Sequence, residues 1–331
     1  MRLLVTGGCG FIGTNFVRSV VRDRPDDEVT VLDALLEPGS EQNLAGLEES
    51  VRFVRGDVCS ADLVRDLVGD CDAVVHFAAE SHNDNSFLYP ERFAETNVMG
   101  TVNLLRACRT HERRLHHVST DEVYGDLALD DPDRFTPDRA YDPSSYYSAS
   151  KAASDHFVRA AWRQFHVPVT ISNCSNNYGP YQHVEKFIPR QITNILDGVK
   201  PRLYGSGSNV RDWIHVEDHN TGVLAILERG RLGETYLIGA DQERNNLDVV
   251  TTLLGIMGKP ADWFDLVPDR PAHDRRYAID ASKLRDELGW RPAAPDLATG
   301  LQATVAWYAD NEPWWRSQKA AAEKRYAELG R

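Results

Sequence analysis

The sequence predicts an α/β fold in which a doubly wound parallel sheet is joined to a smaller α/β domain. Short, nearly continuous apolar segments alternate with longer segments of helical periodicity through the first half of the chain. This alternation is typical of parallel strands whose two faces are covered by helices. A glycine-rich turn follows the first apolar segment, and after about Asn177 the alternation gives way to mixed helices and short strands. We therefore expect a Rossmann-type sheet followed by a smaller α/β substrate-binding domain.

Six strands and four helices are expected in the first part of the fold. Each strand candidate is a short apolar run that ends at small or polar residues. Each helix candidate is longer and repeats its apolar residues every three or four positions. The strands are predicted at residues 3–6, 29–32, 51–54, 73–77, 115–119 and 169–173. The helices are predicted at residues 12–21, 60–67, 96–109 and 147–165.

The two expected domains meet near residue 177. We assign residues 1–177 to the first domain and residues 178–331 to the second, with segments at about 210–240 returning to the first. Ligands of open parallel sheets bind at the carboxyl ends of the strands, and the motifs described below fall at those ends. The tail from residue 301 is helix-forming, and we expect its large rings to serve packing. Those rings are Trp307, Tyr308, Trp314 and Trp315.

Composition limits the classes of partner. The formal net charge of −13 argues against a nucleic acid polymer, because binding one depends on basic patches. The five cysteines are scattered and show no CxxC spacing, so neither a disulfide framework nor a zinc site is indicated, and no metal is expected. No stretch approaches the length of apolar sequence that a membrane span requires. These features predict a cytoplasmic protein with no membrane partner.

The glycine-rich turn has the pattern of a dinucleotide-binding loop. Gly7, Gly10 and Gly13 lie between a predicted strand and a predicted helix, where glycines permit a tight turn and close approach of a pyrophosphate to the helix N-terminus. Asp33 follows at the end of the next strand, where a carboxylate accepts the ribose hydroxyls and repels a 2′-phosphate. The combination predicts NAD rather than NADP. Asp57 and Val58, after the third strand, fit an adenine contact, and Asp57 fits a helix cap as well.

Tyr147 and Lys151 are the strongest candidates for proton transfer. Their spacing of four residues places them on one face of a helix, about one turn apart. An ammonium at that range is expected to lower the pKa of the phenol, which would make it a base for a sugar hydroxyl. Asp121 and Glu122 add two carboxyl groups that simple alcohol oxidation does not need. They suggest an acid/base elimination, for which the pKa values of the two acids must differ.

Longer segments resemble a known family over almost the whole chain. The chain is similar to the extended short-chain dehydrogenase/reductases and, more narrowly, to the dTDP-glucose 4,6-dehydratase family. The glycine loop and the Tyr-x-x-x-Lys pattern are shared by the whole superfamily. The Thr-Asp-Glu sequence at 120–122 and the stretch at 176–181 are far more specific. The matching segments are 7–13, 76–82, 96–97, 119–125, 147–151, 173–181, 185–189, 211–213 and 269–277.

The resemblance implies a reaction and a role for each catalytic residue. It implies that Tyr147 takes the C4 hydroxyl proton of dTDP-glucose while NAD⁺ takes the C4 hydride. Lys151 would hold the nicotinamide ribose, and Thr120 would bond near the C4 oxygen. Glu122 would take the C5 proton and Asp121 would protonate the departing C6 hydroxyl. Return of the hydride to C6 would give dTDP-4-keto-6-deoxyglucose, so residues 1–177 would bind NAD and residues 178–331 the nucleotide sugar.

The same resemblance implies two sets of binding residues. The cofactor set is Gly7, Gly10, Phe11, Ile12, Gly13, Asp33, Asp57, Val58, Ala78, Ala79, Thr96, Tyr147, Lys151 and Asn177. The substrate set is Ser81, Thr120, Asn176, Lys186, Phe187, Arg202, Leu203, Tyr204, Arg211, Asn246, Asp269, Arg270 and His273. Family members also imply a homodimer in which the helices at 96–109 and 147–165 pair, and the amphipathic pattern of both segments agrees with this.

Several alternatives stay open at this level. A nucleotide-sugar 4-epimerase would use the same fold, cofactor and Tyr/Lys pair, although it needs no carboxylate pair. A 4,6-dehydratase for another nucleoside diphosphate hexose and a non-catalytic NAD sensor are further alternatives. Arg211 fits a pyrophosphate, and it also fits a surface ion pair with Asp212 or Glu217. His82 fits an acid/base role, but a hydrogen-bonded structural histidine is the favoured interpretation. Tyr146 precedes Tyr147, but only Tyr147 has a lysine four residues later.

Overall fold

The protein is described by a computed structural model that covers residues 1–269, 274–294 and 296–328. Its strands are β1 (Arg2–Thr6), β2 (Glu28–Asp33), β3 (Val51–Arg55), β4 (Ala73–His76), β5 (Arg114–Thr120), β6 (Val169–Cys174), β7 (Asn176–Tyr178), β8 (Arg202–Tyr204), β9 (Val210–His215), β10 (Thr235–Ile238), β11 (Glu243–Asn245) and β12 (Asp265–Val267). Its α-helices are α1 (Phe11–Asp23), α2 (Ala61–Gly69), α3 (Asn83–Leu88), α4 (Pro90–Phe93), α5 (Thr101–His111), α6 (Tyr146–Phe165), α7 (Phe187–Leu196), α8 (Val216–Arg229), α9 (Asn246–Ile256), α10 (Ser282–Leu288), α11 (Leu297–Asp310) and α12 (Glu312–Glu328).

A seven-stranded parallel sheet organises the larger part of the molecule. Its strand order is β10-β6-β5-β4-β1-β2-β3, and every neighbouring pair is parallel. The chain runs outward from β1 to β3, then crosses back to β4 and continues in the opposite direction. This reversal between β1 and β4 creates the crevice in which doubly wound sheets bind their ligands. The predicted Rossmann-type fold is confirmed.

Apolar side chains fill both faces of this sheet. Val5, Val31 and Val75 pack into one buried cluster with helices α1 and α8. Leu4, Leu32 and the apolar residues of helices α2 and α5 form the cluster on the other face. The strands therefore read as nearly continuous apolar runs because both of their faces are covered, as expected for a parallel sheet.

A second group of elements lies after β6. Strands β11, β9 and β7 form a small mixed sheet, and β12 pairs in parallel with β8. Helices α7, α9 and α11 bury their apolar faces in a common cluster with Trp213 and the tail aromatics. Trp315 and Tyr308 are at most 1% exposed, so the prediction that the tail rings serve packing is confirmed.

The sequence located most elements of the first part correctly. The one irregular segment is at 96–109, where a π-helical stretch (Ala94–Gly100) leads directly into α5. Strand β10 joins the large sheet from late in the chain, and α8 packs beside it. The division into domains at residue 177 stays a prediction. Within the described ranges, none of the helices is long and apolar enough to cross a membrane.

Candidate active site

A cleft opens at the carboxyl ends of β1, β4, β5 and β6. Its walls come from the turns that follow these strands and from helix α6. This is the expected place for a binding site, because the strand order reverses between β1 and β4. We call the wall formed by residues 1–177 the cofactor side and the wall formed by residues after 177 the nucleotide side. Every residue of the predicted cofactor set and all five predicted catalytic residues line this cleft, together with Ser81, Asn176 and Lys186 of the substrate set.

The glycine turn is shaped by close backbone contacts. Gly7 has a φ of +72°, and a Cβ there would lie 2.5 Å from the backbone nitrogen of Ala78. A Cβ on Gly13 would lie 2.2 Å from the carbonyl oxygen of Gly7. Both positions therefore require glycine on steric grounds. Gly10 is the N-cap of α1 and provides no side-chain cap, so the first N–H groups of this 13-residue helix face the cleft.

Asp33 is held by the backbone of the same turn. Its carboxylate accepts hydrogen bonds from the N–H groups of Cys9 (2.9 Å) and Leu35 (2.8 Å). Burial raises the pKa of Asp33, while these two backbone bonds oppose the rise. Asp57 accepts from the N–H of Cys59 at 2.8 Å, one residue before the N-cap Ser60 of α2. Asp57 thus stabilises the turn that leads to the helix without being its N-cap, and it still lines the cleft.

Asn97 fixes the loop that follows β4. Its side-chain amide accepts from the N–H of Glu80 (2.8 Å) and donates to the carbonyl oxygen of Glu80 (3.0 Å). It also donates to the hydroxyl of Ser150 on α6 at 2.8 Å. Through these three bonds the π-helical stretch, the loop at 78–82 and α6 hold one another in place. The neighbouring Thr96 lines the cleft on the cofactor side.

The two adjacent tyrosines face different surroundings. Tyr147 lines the cleft and its ring lies edge-on to Phe93, with centroids 6.4 Å apart. Tyr146 is 54% exposed and lies edge-on to Phe87. Only Tyr147 is therefore in position for chemistry in the cleft. The capping box at Ser145 begins α6 at this point and fixes the direction of both side chains.

The expected effect of Lys151 on Tyr147 is wrong for this arrangement. The Lys151 ammonium donates to the carbonyl oxygen of Val118 at 2.9 Å, which directs its charge at the strand. Burial and the neighbouring carboxylates, Glu122 first, raise the pKa of Tyr147 well above its usual range, while a hydrogen bond with Thr120 opposes the rise. Burial lowers the pKa of Lys151 to about 8. Desolvation thus outweighs the favourable spacing of the two residues.

The turn after β5 presents three polar side chains to the cleft. The Thr120 hydroxyl accepts from the N–H of Glu122 and donates to the Asp121 carboxyl, both at 3.3 Å. Asp121 is 2% exposed, and among the described residues its second oxygen has no hydrogen-bond partner. Burial, then the charge of Glu122, raises the pKa of Asp121 well above its usual range, although Arg211 opposes this. Burial of Asp121 therefore favours its protonated form, which a proton donor requires.

These residues fit a dinucleotide. A pyrophosphate would meet the uncapped N-terminus of α1 over the glycine turn, where a larger side chain at Gly7 or Gly13 would clash with the backbone. The free lone pairs of Asp33 would accept ribose hydroxyls. Tyr147 and Lys151 lie at the far end of the same cleft, where the nicotinamide would meet a sugar.

The predicted nucleotide-side residues are more dispersed. Phe187 begins α7 and stacks on Trp213, and Leu203 is fully buried in the apolar cluster. The backbone N–H of Arg202 donates to Gln191, while its side chain is exposed. Three further residues of this set, Tyr204, Asn246 and Asp269, lie at the end of β8, at the start of α9 and beside Gly205. Arg270 and His273 fall outside the described residues.

Arg211 is buried on the nucleotide side and bonds to backbone carbonyls. Its guanidinium donates to the carbonyl oxygens of Val210 (2.7 Å) and Asp274 (2.9 Å) and lies 4.3 Å from the ring centre of Tyr277. The alternative of a surface ion pair with Asp212 or Glu217 is therefore wrong. The positive charge of Arg211 lowers the proton affinity of Asp121, which places it close to the catalytic turn.

His82 links the two sides of the cleft. Its Nε2 lies 3.1 Å from a carboxylate oxygen of Glu185, and its Nδ1 accepts from the N–H of Asn85 at the start of α3. Although burial raises the pKa of Glu185, its contact with His82 prevails and holds that pKa near 2. The histidine therefore has hydrogen-bonding and charge partners that account for its place, as the favoured interpretation expects.

Two polar residues near the site were missed by the sequence analysis. Asp155 is fully buried one helical turn beyond Lys151, and Cys174 ends β6 within the cleft wall. Asp155 continues the four-residue spacing of Tyr147 and Lys151, and this periodicity on α6 was a usable signal. Cys174 offered none, because a buried thiol at a strand end is common in cores.

Comparisons with known proteins agree with this geometry. The model of the GDP-mannose 4,6-dehydratase family matches residues 4–302. The chain is 62% identical over 330 residues to the dTDP-glucose 4,6-dehydratase of Mycobacterium tuberculosis, with 100% of both chains covered. The solved dTDP-glucose 4,6-dehydratase of Streptomyces venezuelae, with NAD and a dTDP ligand bound, is 46% identical at a TM-score of 0.91, covering 96% of this chain and 100% of that one. The Bacillus anthracis enzyme in complex with NAD is 40% identical at a TM-score of 0.90, covering 96% and 99%.

Proposed function

Because the chain belongs to the GDP-mannose 4,6-dehydratase family, and within it to the dTDP-glucose 4,6-dehydratases, we propose that its cleft removes water from dTDP-glucose. The enzyme depends on NAD, which is bound in both solved relatives described above. The product is dTDP-4-keto-6-deoxyglucose. The hydride taken from C4 returns to C6 within one turnover, so the net change is the loss of one water molecule.

The observation that carries this proposal is the buried carboxyl of Asp121 beside Tyr147. Oxidation of a hydroxyl needs only a base and a hydride acceptor, and an epimerase of this fold would need no more. Asp121 is 2% exposed, and the burial that raises its pKa favours its protonated form. A neutral acid next to a partly exposed carboxylate residue, Glu122, is the pair that an elimination requires.

The first chemical step is removal of the C4 hydroxyl proton by Tyr147, whose phenol must be ionised before it can accept that proton. Thr120 contacts the phenol and would hold the C4 oxygen in line with it. Lys151, fixed to the carbonyl oxygen of Val118, keeps a positive charge at the base of the site. NAD⁺, when bound, supplies the hydride acceptor and a positive charge that favours the ionised form of a neighbouring phenol.

The second step is elimination across C5 and C6. The 4-keto group makes the C5 proton acidic, and Glu122 takes that proton. Asp121 gives its proton to the C6 hydroxyl, which leaves as water. Asp121 and Glu122 lie in the turn just after β5, where successive side chains point in different directions and can serve two different substrate atoms. Return of a hydride to C6 and of a proton to C5 completes the turnover.

The nucleotide would lie against the wall formed by residues after 177. Lys186, at the N-terminus of α7, lines the cleft next to the catalytic turn. Arg211 is already oriented by two carbonyl oxygens, and its planar guanidinium matches a diphosphate. We take residues 178–331 as the nucleotide-sugar domain and residues 1–177, with the returning strand β10, as the NAD domain.

Turnover in D₂O tests the proposed function directly. The purified protein is incubated with dTDP-glucose without added NAD, and the product is examined by mass spectrometry and NMR. Loss of water with one deuterium at C5 is the expected result. A hexose that keeps its C6 hydroxyl and is inverted at C4 would identify an epimerase. If the protein leaves dTDP-glucose unchanged but converts another nucleoside diphosphate hexose, that hexose is identified as the substrate.

A double variant tests the role of the two carboxyl groups. Asp121→Asn with Glu122→Gln keeps the size of both side chains and removes both acid/base functions. We expect dehydration to fall by about 10²- to 10⁴-fold, while oxidation at C4 continues and reduced cofactor accumulates in the cleft. Formation of the 4-keto-6-deoxy product at the wild-type rate would sink the assignment.

We also propose that the protein is a homodimer paired through α5 and α6. Tyr146 and Phe157 are 54% and 49% exposed and lie about three turns apart on one face of α6. Met99, just before α5, is 49% exposed. Exposed apolar residues that share a face are commonly covered by a partner. Sedimentation at micromolar concentration should give the mass of a dimer, and Phe157→Asp should shift it towards the monomer. A monomeric wild-type protein would contradict the proposal.

A cytoplasmic location is proposed for the same chain. All five cysteines are unpaired in the structure, and four of them are buried. Free thiols in this number are typical of proteins kept in a reducing compartment. Recovery of activity in the soluble cytosolic fraction of the host would support the location, and recovery outside it would contradict it.

A further inference from the structure

A buried polar network lies behind the catalytic residues, on the side away from the cleft. Its centre is Asp155, which is fully buried on α6 one turn beyond Lys151. One carboxylate oxygen lies 3.2 Å from Nε2 of His117 on β5. The other accepts from the hydroxyl of Tyr141 (2.8 Å) and from the side-chain amide of Asn173 on β6 (3.1 Å). A carboxylate in such a place is costly unless it compensates another charge.

Lys151 lies one turn before Asp155 on the same helix, and the charges of the two side chains influence each other. The ammonium is 3% exposed and bonds to one carbonyl oxygen, that of Val118. Burial lowers the pKa of Lys151, and the negative charge of Asp155 is the strongest influence that opposes this. The pKa of Asp155 is in turn held below its usual range: burial raises it, but contact with His117 and the charge of Lys151 prevail.

The same carboxylate also reaches the catalytic turn. The side-chain amide of Asn173 donates to Asp155 and to the carbonyl oxygen of Thr120, both at 3.1 Å. Its oxygen accepts from the hydroxyl of Tyr124 at 3.3 Å. Asp155 therefore orients the amide that fixes the backbone at Thr120, next to the two acids of the site.

We propose that Asp155 is a positioning residue, whose carboxylate keeps the Lys151 ammonium charged inside the protein and holds the Thr120 turn through Asn173. This inference rests on the proposed dehydratase function, because it assigns Asp155 to the support of that reaction. Asp155 does not line the cleft and does not touch the reacting atoms.

The other titratable groups around Lys151 and Asp155 supply no negative charge that could stabilise the Lys151 ammonium in place of Asp155. Burial lowers the pKa of His117 to about 4 and that of His76 well below its usual range, so both rings are neutral at neutral pH. Burial raises the pKa values of the Cys174 thiol and the phenols of Tyr124, Tyr141 and Tyr147, which are neutral as well. Arg159 donates to the hydroxyl of Tyr141, and burial raises the pKa of Asp121, which favours its neutral form.

The pH profile of kcat/KM separates this role from a merely structural one. Asp155→Asn keeps the shape of the side chain and removes its charge, so Lys151 should lose its proton at lower pH. We expect the alkaline limb of the profile to move down by at least about one pH unit. Asp155→Glu should return the limb towards its wild-type position. Tyr141→Phe removes a hydrogen bond to the same carboxylate without removing charge, and it should leave the limb in place.

An alkaline limb of Asp155→Asn at the wild-type position would overturn the proposal, whatever the loss in rate. A limb that moves equally in Tyr141→Phe would also overturn it, because the cause would then be loosened packing.

A double-mutant cycle supplies a readout that does not depend on turnover. The unfolding free energies of wild type, Lys151→Met, Asp155→Asn and the double variant are compared at neutral pH. Each single variant leaves one buried charge uncompensated, so the double variant should be destabilised by less than the two single variants together. Additive losses would overturn the proposal. If Asp155→Asn does not fold, the double variant still should, and failure of both to fold would also count against it.

The double-mutant cycle also distinguishes failure of the proposed role of Asp155 from failure of the proposed dehydratase function. A wild-type protein that leaves dTDP-glucose unchanged would defeat the proposed function. The cycle would still decide whether the two charges stabilise each other.

Discussion

The two sides of the cleft are built in different ways. On the cofactor side, most of the predicted residues lie at the ends of strands of the large sheet, on α1 or on α6, and all of them line the cleft. On the nucleotide side, short strands and loops carry the predicted residues, and Leu203 and Phe187 contribute to an apolar cluster. The comparison indicates that catalytic geometry here depends on local strand–turn–helix units. The positions of the predicted nucleotide-side residues depend on packing between distant segments.

Tyr147→Phe should give the largest effect on the cofactor side. Removal of the phenol oxygen takes away the base for the C4 hydroxyl, and we expect the rate of dehydration to fall by about 10²- to 10⁴-fold. Tyr146→Phe is the matched control, since Tyr146 is 54% exposed and outside the cleft, and its rate should be close to wild type. Initial rates of product formation check both. Equal losses in the two variants would contradict the assignment.

Gly7→Ala tests how rigid the cofactor side is. An alanine would have to adopt a φ of +72° with its Cβ 2.5 Å from the nitrogen of Ala78, and the turn would have to move. Gly46→Ala is the control, because Gly46 has a φ of +82° with nothing within 4 Å. Both variants bear the left-handed strain of about 1–2 kcal/mol, and only Gly7→Ala adds a clash. We expect Gly7→Ala to lower the free energy of unfolding by more than Gly46→Ala does, as measured by denaturant unfolding. Only Gly7→Ala should lose NAD binding, as measured by calorimetry.

Arg211→Lys tests the nucleotide side. The variant keeps a positive charge and loses the fork that bonds to the carbonyl oxygens of Val210 and Asp274. We expect KM for dTDP-glucose to rise by about 10-fold, in line with about 1.5 kcal/mol for a charged hydrogen bond, with a smaller change in kcat. Steady-state kinetics check this. A fall in kcat at unchanged KM would place Arg211 with the catalytic residues and remove the contrast between the two sides.

The smallest expected effect concerns acid stability. His219 is fully buried on α8, and burial lowers its pKa from 6.5 to about 4. Below pH 6.5 the unfolded chain takes up a proton that the folded chain does not, so the free energy of unfolding falls between pH 6.5 and about 4. One such histidine contributes a slope of up to about 1.4 kcal/mol per pH unit. His219→Gln should reduce the slope of denaturant stability against pH, while His156→Gln, at an exposed position, should leave it unchanged.

The large sheet could be predicted from the sequence because the apolar composition of its strands indicates that both of their faces are buried. Apolar runs such as 73–77, interrupted only by His76, are typical of strands that are covered by helices on both faces, and Gly7 and Asp33 lie at the ends of such runs. The environment of Tyr147 was not predictable in the same way. Spacing placed Lys151 near it, but the direction of the ammonium depends on the carbonyl of Val118, and that contact exists only after β5 and α6 have packed.

Arg211 illustrates the limit on the nucleotide side. Its neighbours in sequence suggested an ion pair, whereas its partners in the fold include the carbonyl of Asp274, which lies more than sixty residues away. Asp155 shows the opposite case, because the four-residue spacing of Tyr147 and Lys151 on α6 continues to it and could have marked it as a candidate.

The late position of strand β10 in the sequence affects how the large sheet forms during synthesis of the chain. Synthesis delivers β6 (Val169–Cys174) about sixty residues before β10 (Thr235–Ile238), its neighbour in the finished sheet. During that interval β6 presents an open edge of hydrogen-bonding groups, and all six of its residues are buried in the finished fold. A nascent chain on the ribosome must keep this edge from pairing with other chains. A fragment of residues 1–177 would lack β10 and would carry the same exposed edge permanently, so these residues hold only part of the large sheet.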